Sequence, residues 1–161
     1  LFIDLENLGA LSTKIHRQER KFAELFPKVH AALEARGFAI EQSYAFASSR
    51  MHRKSALSKR YCSRITSTLQ QFKTHMVWVE RTADIALRKT LDEKLAEGAL
   101  PEAVMIFSGD RDFATSAAKL KQGGHFVLVC GPQISKELQA SASLTVPLHE
   151  LLADPALTST S

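Results

Sequence analysis

Cysteine is scarce in this sequence: Cys62 and Cys130 are the only two among 161 residues. They stand far apart and lack a second pair at metal-ligand spacing, so neither a disulfide scaffold nor a zinc finger is indicated. A chain of this length buries about two-thirds of its unfolded surface and needs no such staple. We therefore expect a reducing, intracellular setting, cytoplasmic by default.

Long hydrophobic runs are also missing. Asp4 and Glu6 interrupt the first apolar stretch, and no later one approaches the length of a membrane span. The sequence thus predicts no secretory leader and no membrane partner. No glycine-rich fingerprint follows the first apolar stretch, which disfavours a small-molecule-binding doubly wound domain. Because the sequence lacks an initiating methionine and begins inside an apparent strand, we expect it to be part of a longer chain.

Acidic residues are absent between Gln42 and Val79, although the whole chain has a formal net charge of only +4. Subtracting the seven positive charges of this segment leaves −3 on the remainder. Such segregation is typical of a protein that binds a phosphate backbone, although a solvated basic helix explains it equally well. The basic block consists of Arg50, Arg53, Lys54, Lys59, Arg60, Arg64 and Lys73.

Short apolar segments alternate with amphipathic helical patterns along the chain. This alternation predicts an α/β fold with a parallel sheet and helices on both faces. We expect a single domain over residues 1–154, followed by a flexible tail or the start of a linker over 155–161. The predicted strands are Leu1–Leu5, Phe38–Ala47, His75–Glu80, Ala103–Ser108 and His125–Cys130.

Aspartates follow three of these strands. Asp4 closes the first, Asp84 opens the helix after the third, and Asp110 and Asp112 follow the fourth. A single aspartate at such a position is often just a helix cap. Four at equivalent strand ends indicate a cluster, because clustered carboxylates repel one another unless a cation neutralises them.

The donor types in this cluster predict its metal. Carboxylate oxygens without nearby histidine or cysteine suit Mg²⁺ or Mn²⁺ rather than zinc. The chemistry that uses such a cluster is metal-assisted phosphoryl displacement, in which bound ions activate a water and stabilise the leaving oxygen. The basic block begins at the carboxyl end of the second strand, where it would hold flanking phosphates.

Four motifs, in order along nearly the whole chain, resemble the NYN branch of the PIN-like nucleases: FIDLEN, ADIAL, SGDRDF and FVLVCGPQISKEL. The resemblance implies a PIN-like three-layer sandwich with about five parallel strands and metal-dependent cleavage of RNA. Position by position, Asp4, Asp84, Asp110 and Asp112 match the acidic metal site. Asn7 matches its polar partner on the first loop, and Ser108 matches a small hydroxyl residue beside the acids.

The resemblance also implies RNA as the partner, and we expect this RNA to be single-stranded. Family members often have a lysine ahead of the middle aspartate, and Arg81 keeps that charge here. The residues predicted to contact RNA are thus Arg50, Arg53, Lys54, Lys59, Arg60 and Arg81. Self-association as a homodimer, or contacts through flanking regions outside this sequence, stay open.

Two positions depart from the family pattern: Thr90 and Ser143 stand where many members have an acid. The leading hypothesis is a metal-dependent endoribonuclease. The alternative is a catalytically weak PIN-like domain that binds RNA or a protein. A haloacid-dehalogenase-like phosphatase is less favoured, because Glu6 stands where such enzymes need a second aspartate.

Overall fold

Strand β4 (Ala103–Phe107) shows why this sequence builds a buried parallel sheet. Its residues alternate between two hydrophobic clusters: Val104 and Ile106 face one, and Met105 and Phe107 face the other. A strand that is apolar on both faces needs helices on both sides. The computed structural model describes residues 1–9, 15–50 and 56–152, without the side chains of residues 8, 9, 15–23 and 56–61.

Five further strands are β1 (Phe2–Asp4), β2 (Tyr44–Ser48), β3 (His75–Val79), β5 (Phe126–Gly131) and β6 (Leu144–Pro147). Among the described residues, these six strands form one sheet, all parallel, in the order β3-β2-β1-β4-β5-β6. The predicted α/β fold with a parallel sheet is confirmed, and a short sixth strand adds one edge to it.

Helices cover both faces of the sheet, which gives the three layers of a PIN-like sandwich. The described helices are α1 (Leu5–Gly9), α2 (Ile15–Ala35), α3 (Ala56–Gln71), α4 (Ala83–Ala96), α5 (Ala114–Gln122), α6 (Lys136–Ser141) and α7 (Leu148–Leu152), and a 3₁₀ turn spans Arg111–Phe113. On one face, α2, α3 and α7 contribute buried residues such as Phe26, Leu69 and Leu151. On the other, α4, α5 and α6 contribute Leu87, Leu120 and Leu138.

Strand β2 is shorter than the sequence predicts. The apolar segment from Phe38 onward was expected to be strand, but pairing with β1 starts only at Tyr44. Phe38 and Ile40 pack against the hydrophobic core from an irregular segment instead. Alternating apolar residues therefore satisfy burial here without joining the ladder of hydrogen bonds.

The parallel arrangement of the strands brings several loops together at one edge of the sheet. Parallel strands all end on the same side, so the segments after β1, β2, β3, β4 and β5 meet at the carboxyl edge. The predicted tail, residues 155–161, lies outside the described part of the chain. Within that described part, no helix combines the length and apolar character needed to cross a membrane.

Candidate metal and RNA site

Asp4 is the centre of the carboxyl edge. It ends β1, the strand between β2 and β4, and only 3% of its surface is exposed. Its Oδ1 accepts hydrogen bonds from the backbone N–H groups of Glu6 and Asn7, both at 3.2 Å. Its Oδ2 accepts one from the Ser108 hydroxyl at 3.3 Å. The first loop and the end of β4 thus hold this carboxylate from both sides.

The environment of Asp4 disfavours its charge. Burial raises its pKa from 3.8 to about 6, although the hydrogen bond from the Asn7 backbone opposes that increase. The nearby charge of Glu6 raises the pKa further. Among the described residues, none supplies Asp4 with a positively charged partner. A divalent cation would fit this position, because it would stabilise the ionised form.

Ser108 joins Asp4 to Asp110. The Ser108 side chain is fully buried, and its oxygen also accepts a hydrogen bond from the Asp110 backbone N–H at 3.3 Å. Asp110 in turn caps the 3₁₀ turn, since its Oδ1 accepts from the Asp112 N–H at 3.0 Å. The capping role considered for Asp110 is therefore real, and it uses one of the two carboxylate oxygens.

Asn7 fastens the first loop to the turn after β4. Its Oδ1 accepts a hydrogen bond from the Gly109 backbone N–H at 3.3 Å, across 102 residues of sequence. Because the Asn7 backbone also donates to Asp4, one residue contacts both halves of the candidate site. This geometry is compatible with the supporting role predicted for Asn7.

Gly109 is needed for a close approach of two loops. Its backbone carbonyl accepts a hydrogen bond from the Ser135 N–H at 3.0 Å. A Cβ atom at residue 109 would lie 1.5 Å from the backbone oxygen of Gln133. Any side chain here would push apart the turn that carries Asp110 and the segment that leads into α6. The Ser135 hydroxyl caps that helix by accepting a hydrogen bond from the Leu138 backbone N–H.

We expect Gly109→Ala to destabilise the fold by roughly 1–3 kcal/mol, the usual cost of forcing extra volume into a packed region. Chemical denaturation would measure it. The matched control is Gly123→Ala. Residue 123 has an ordinary φ of −74°, and the atom nearest to an added Cβ is the terminal methyl carbon of the Leu95 side chain, at 3.0 Å, rather than backbone. Equal stability of the two variants would contradict the close approach at Gly109.

Asp84 lies in the first turn of α4, where the cap position belongs to Thr82. The Asp84 carboxylate makes an ion pair with Arg88, with Nη2 and Oδ2 separated by 3.1 Å. The i,i+4 spacing of Asp84 and Arg88 is the sequence signal for such a pair, because residues four apart are neighbours on a helix surface. The Nε atom of Arg88 is buried and has no hydrogen-bond partner among the residues that the structure describes.

The four predicted acids thus differ in their surroundings. Asp4 and Asp110 are joined through Ser108, Asp84 is paired with Arg88, and Asp112 is exposed. Within the described ranges, no three histidine, cysteine, aspartate or glutamate side chains converge closely enough to hold a metal ion. The assignment of these acids as metal ligands therefore stays a prediction.

The two departures from the acid pattern have structural explanations. The Thr90 hydroxyl donates to the backbone oxygen of Ala86, within α4. Ser143 precedes β6 and accepts, through Oγ, a hydrogen bond from the Val127 N–H near the beginning of β5. Ser143 therefore lies at the amino edge of the sheet, opposite Asp4, and contributes nothing to the candidate site.

The predicted RNA contacts are only partly described. Arg50 and Arg81 are exposed, just after β2 and β3, and so lie at the carboxyl edge. Lys59 and Arg60 lie in the first turns of α3, whose side chains there are not described, and Arg53 and Lys54 fall outside the described residues. Lys73 immediately precedes the segment into β3 and belongs to the opposite edge.

Comparison with known proteins assigns the family. The NYN domain model matches residues 1–149, nearly the whole chain. The chain belongs to the NYN family. NYN domains are PIN-like nuclease domains, their nucleases are typically metal-dependent, and their substrate is generally RNA.

Comparison with solved structures agrees with the NYN fold. A protein of unknown function from Vibrio parahaemolyticus is similar, with a TM-score of 0.54 at 12% identity over 91% of this chain and 90% of that one. At this identity the likeness concerns the fold alone. No curated protein matches the NYN sequence described here at a significant level.

Proposed function

We propose that this NYN domain is a metal-dependent endoribonuclease that hydrolyses phosphodiester bonds in single-stranded RNA. The observation that carries this proposal is the unit of Asp4, Ser108 and Asp110 at the carboxyl edge of the sheet. It contains a buried carboxylate with a raised pKa and no cation among its described neighbours. Such a group gains most from a bound divalent ion.

Asp4 and Asp110 are the residues that we assign to hold Mg²⁺ or Mn²⁺, with Asp84 and Asp112 completing the set. When bound, the metal supplies a water of lowered pKa and neutralises charge on the leaving oxygen. Ser108 orients the Asp4 carboxylate through its hydroxyl, and Asn7 holds the turn at Gly109. The protein's own contribution is thus to fix two carboxylates on a rigid sheet edge.

The RNA backbone is proposed to lie against the basic residues at the same edge. Arg50 and Arg81 are exposed there, and Arg53 and Lys54 belong to the segment between β2 and α3. Contacts to phosphates give affinity that falls with salt and depends little on base sequence. Selection of RNA over DNA is inferred from the family.

Reversing the charges of Arg53 and Lys54 to glutamate is expected to weaken RNA binding. If both contact phosphates, the slope of log affinity against log salt falls by about 1.4, since each single-strand contact contributes about 0.7. Fluorescence anisotropy with labelled RNA at several salt concentrations would measure both effects. Lys28→Glu with Lys73→Glu is the matched control, because both lysines are exposed and the net charge changes equally. Equal losses in the two variants would remove this segment from the interface.

The direct test is incubation of the purified protein with mixed single-stranded RNA in Mg²⁺ or Mn²⁺, with EDTA in a parallel reaction. A circular RNA in the same assay reports internal cleavage, because it has no end for an exonuclease. Metal-dependent opening of the circle is the expected result. Absence of cleavage in either metal would count against the nuclease.

One observation favours a second candidate, an RNA-binding domain with little catalysis. The Asp84 carboxylate is in an ion pair with Arg88. In the described part of the chain, no three acidic side chains lie close enough together to hold a metal ion. Salt-sensitive RNA binding without cleavage in Mn²⁺ would establish this alternative.

A further inference from the structure

Glu6 contacts a part of the structure far away in sequence. Its Oε2 accepts a hydrogen bond from the Ala83 backbone N–H at 3.1 Å, across 77 residues. Ala83 is the first residue of α4 and is fully buried, so water does not replace this acceptor. The Glu6 side chain thus points toward the beginning of α4.

The residue at the N-cap position of α4 does not cap the helix with its side chain. Thr82 has the extended backbone of a cap residue, with φ −82° and ψ 135°, but its side chain makes no capping hydrogen bond. The first turn of a helix has backbone donors without partners, and a carboxylate there is also favoured by the helix dipole. Glu6 provides from another segment what Thr82 does not provide locally.

The same residue is tied to the centre of the candidate site. The Glu6 backbone N–H donates to Asp4 Oδ1 at 3.2 Å, while its side chain binds the residue immediately before Asp84. Both hydrogen bonds are made by Glu6, one through its backbone and one through its side chain. A single residue therefore connects Asp4 to the residue next to Asp84.

We propose that Glu6 is a positioning residue that sets the distance between Asp84 and Asp4 by capping α4 across the site. This inference rests on the proposed nuclease function for its catalytic consequence, whereas the cap itself is independent of activity. Glu6 needs no direct contact with metal or RNA in this role. What it must keep is an oxygen that accepts the Ala83 N–H.

Two substitutions separate the acceptor from the charge. Glu6→Ala removes both, and Glu6→Gln keeps a carbonyl oxygen of similar reach. Glu97→Ala is the matched control, because Glu97 is an exposed glutamate at the other end of α4. Residue-resolved hydrogen exchange of the metal-free protein reads out the cap without any need for cleavage.

In Glu6→Ala, exchange of the Ala83 amide is expected to accelerate about 5- to 10-fold, as for loss of a helix cap. Glu6→Gln and Glu97→Ala should keep the wild-type exchange rate. In the cleavage assay, kcat of Glu6→Ala should fall about 10-fold with RNA affinity unchanged, and Glu6→Gln should restore it.

Unchanged protection of the Ala83 amide in Glu6→Ala would overturn the proposal. So would a Glu6→Gln variant that keeps the amide protected yet loses as much kcat as Glu6→Ala, since Glu6 would then act through its charge. If the wild-type protein does not cleave RNA, the nuclease assignment fails, while the exchange experiment still decides whether Glu6 caps α4.

Discussion

The Asp110→Asn variant is expected to bind RNA as tightly as the wild-type protein and to cleave it at least about 100-fold more slowly. Loss of even a residue that only hydrogen-bonds to a metal ligand lowers metal affinity or activity about 10- to 100-fold, and Asp110 is proposed to be a ligand itself. Asparagine is nearly isosteric with aspartate and keeps an oxygen for the Asp112 N–H, so the 3₁₀ turn should persist. What disappears is the negative charge offered to a cation. RNA affinity and single-turnover cleavage would be measured on the same preparation.

A control substitution of the same type shows whether the effect of Asp110→Asn is local. Asp92→Asn also neutralises one carboxylate, but Asp92 lies on α4 in a surface ion pair with Lys119. It should leave cleavage within about 2-fold of wild type, because surface ion pairs contribute little. Cleavage by Asp110→Asn at the rate of Asp92→Asn would show that the proposed metal site is wrong.

The Asp4→Asn variant is expected to lose cleavage and to gain stability in the absence of metal. Burial raises the folded-state pKa of Asp4 to about 6, against an ordinary aspartate value of 3.8. Between these two values the folded protein binds more protons than the unfolded chain, so the free energy of unfolding falls as pH rises. Ionisation of this buried carboxylate therefore lowers the free energy of unfolding of the wild-type protein, whereas asparagine does not ionise.

The size of this gain follows from the shift in pKa. A shift of about 2 units corresponds to about 3 kcal/mol, of which we expect roughly 1–3 kcal/mol to be recovered by asparagine at pH 8 in EDTA. Well below pH 3.8 the Asp4 carboxyl group is neutral in both the folded and the unfolded wild-type protein, and the gain should vanish. Urea denaturation of both proteins between pH 4 and pH 8 would show the difference growing with pH.

Metal ions should reverse the order of stability. Saturating Mn²⁺ at pH 8 is expected to stabilise the wild-type protein and to leave Asp4→Asn almost unchanged, because a ligand stabilises only the form that binds it. Asp92→Asn is again the control and should respond like wild type. If Asp4→Asn were less stable than wild type at pH 8 in EDTA, the burial cost assigned to Asp4 would be wrong.

Features set by local pattern were predictable from the sequence. Strand β4 was expected over Ala103–Ser108, and the observed strand ends one residue earlier, at Phe107. It could be predicted because a continuous apolar run between turn residues favours a buried strand. By contrast, β6 was missed, since four residues that include threonine and proline resemble a loop until a neighbouring strand pairs with them.

Features that depend on distant contacts were not predictable. Nothing near Glu6 indicates that its side chain reaches Ala83, because that contact exists only after β1 and β3 are placed in one sheet. The requirement for Gly109 likewise depends on the Gln133 backbone, which belongs to another loop. Sequence pattern thus located the strand ends and their aspartates, while tertiary contacts decide how each carboxylate is held.

The central position of β1 has a consequence during synthesis of the chain. Asp4 emerges from the ribosome first, but its partner Ser108 follows 104 residues later. At typical translation rates of about 5–20 residues per second, several seconds separate them. Until β4 has been made and has paired with β1, Ser108 cannot join the carboxylate of Asp4 to Asp110. The proposed metal site can therefore form only after more than a hundred further residues have been added to the chain.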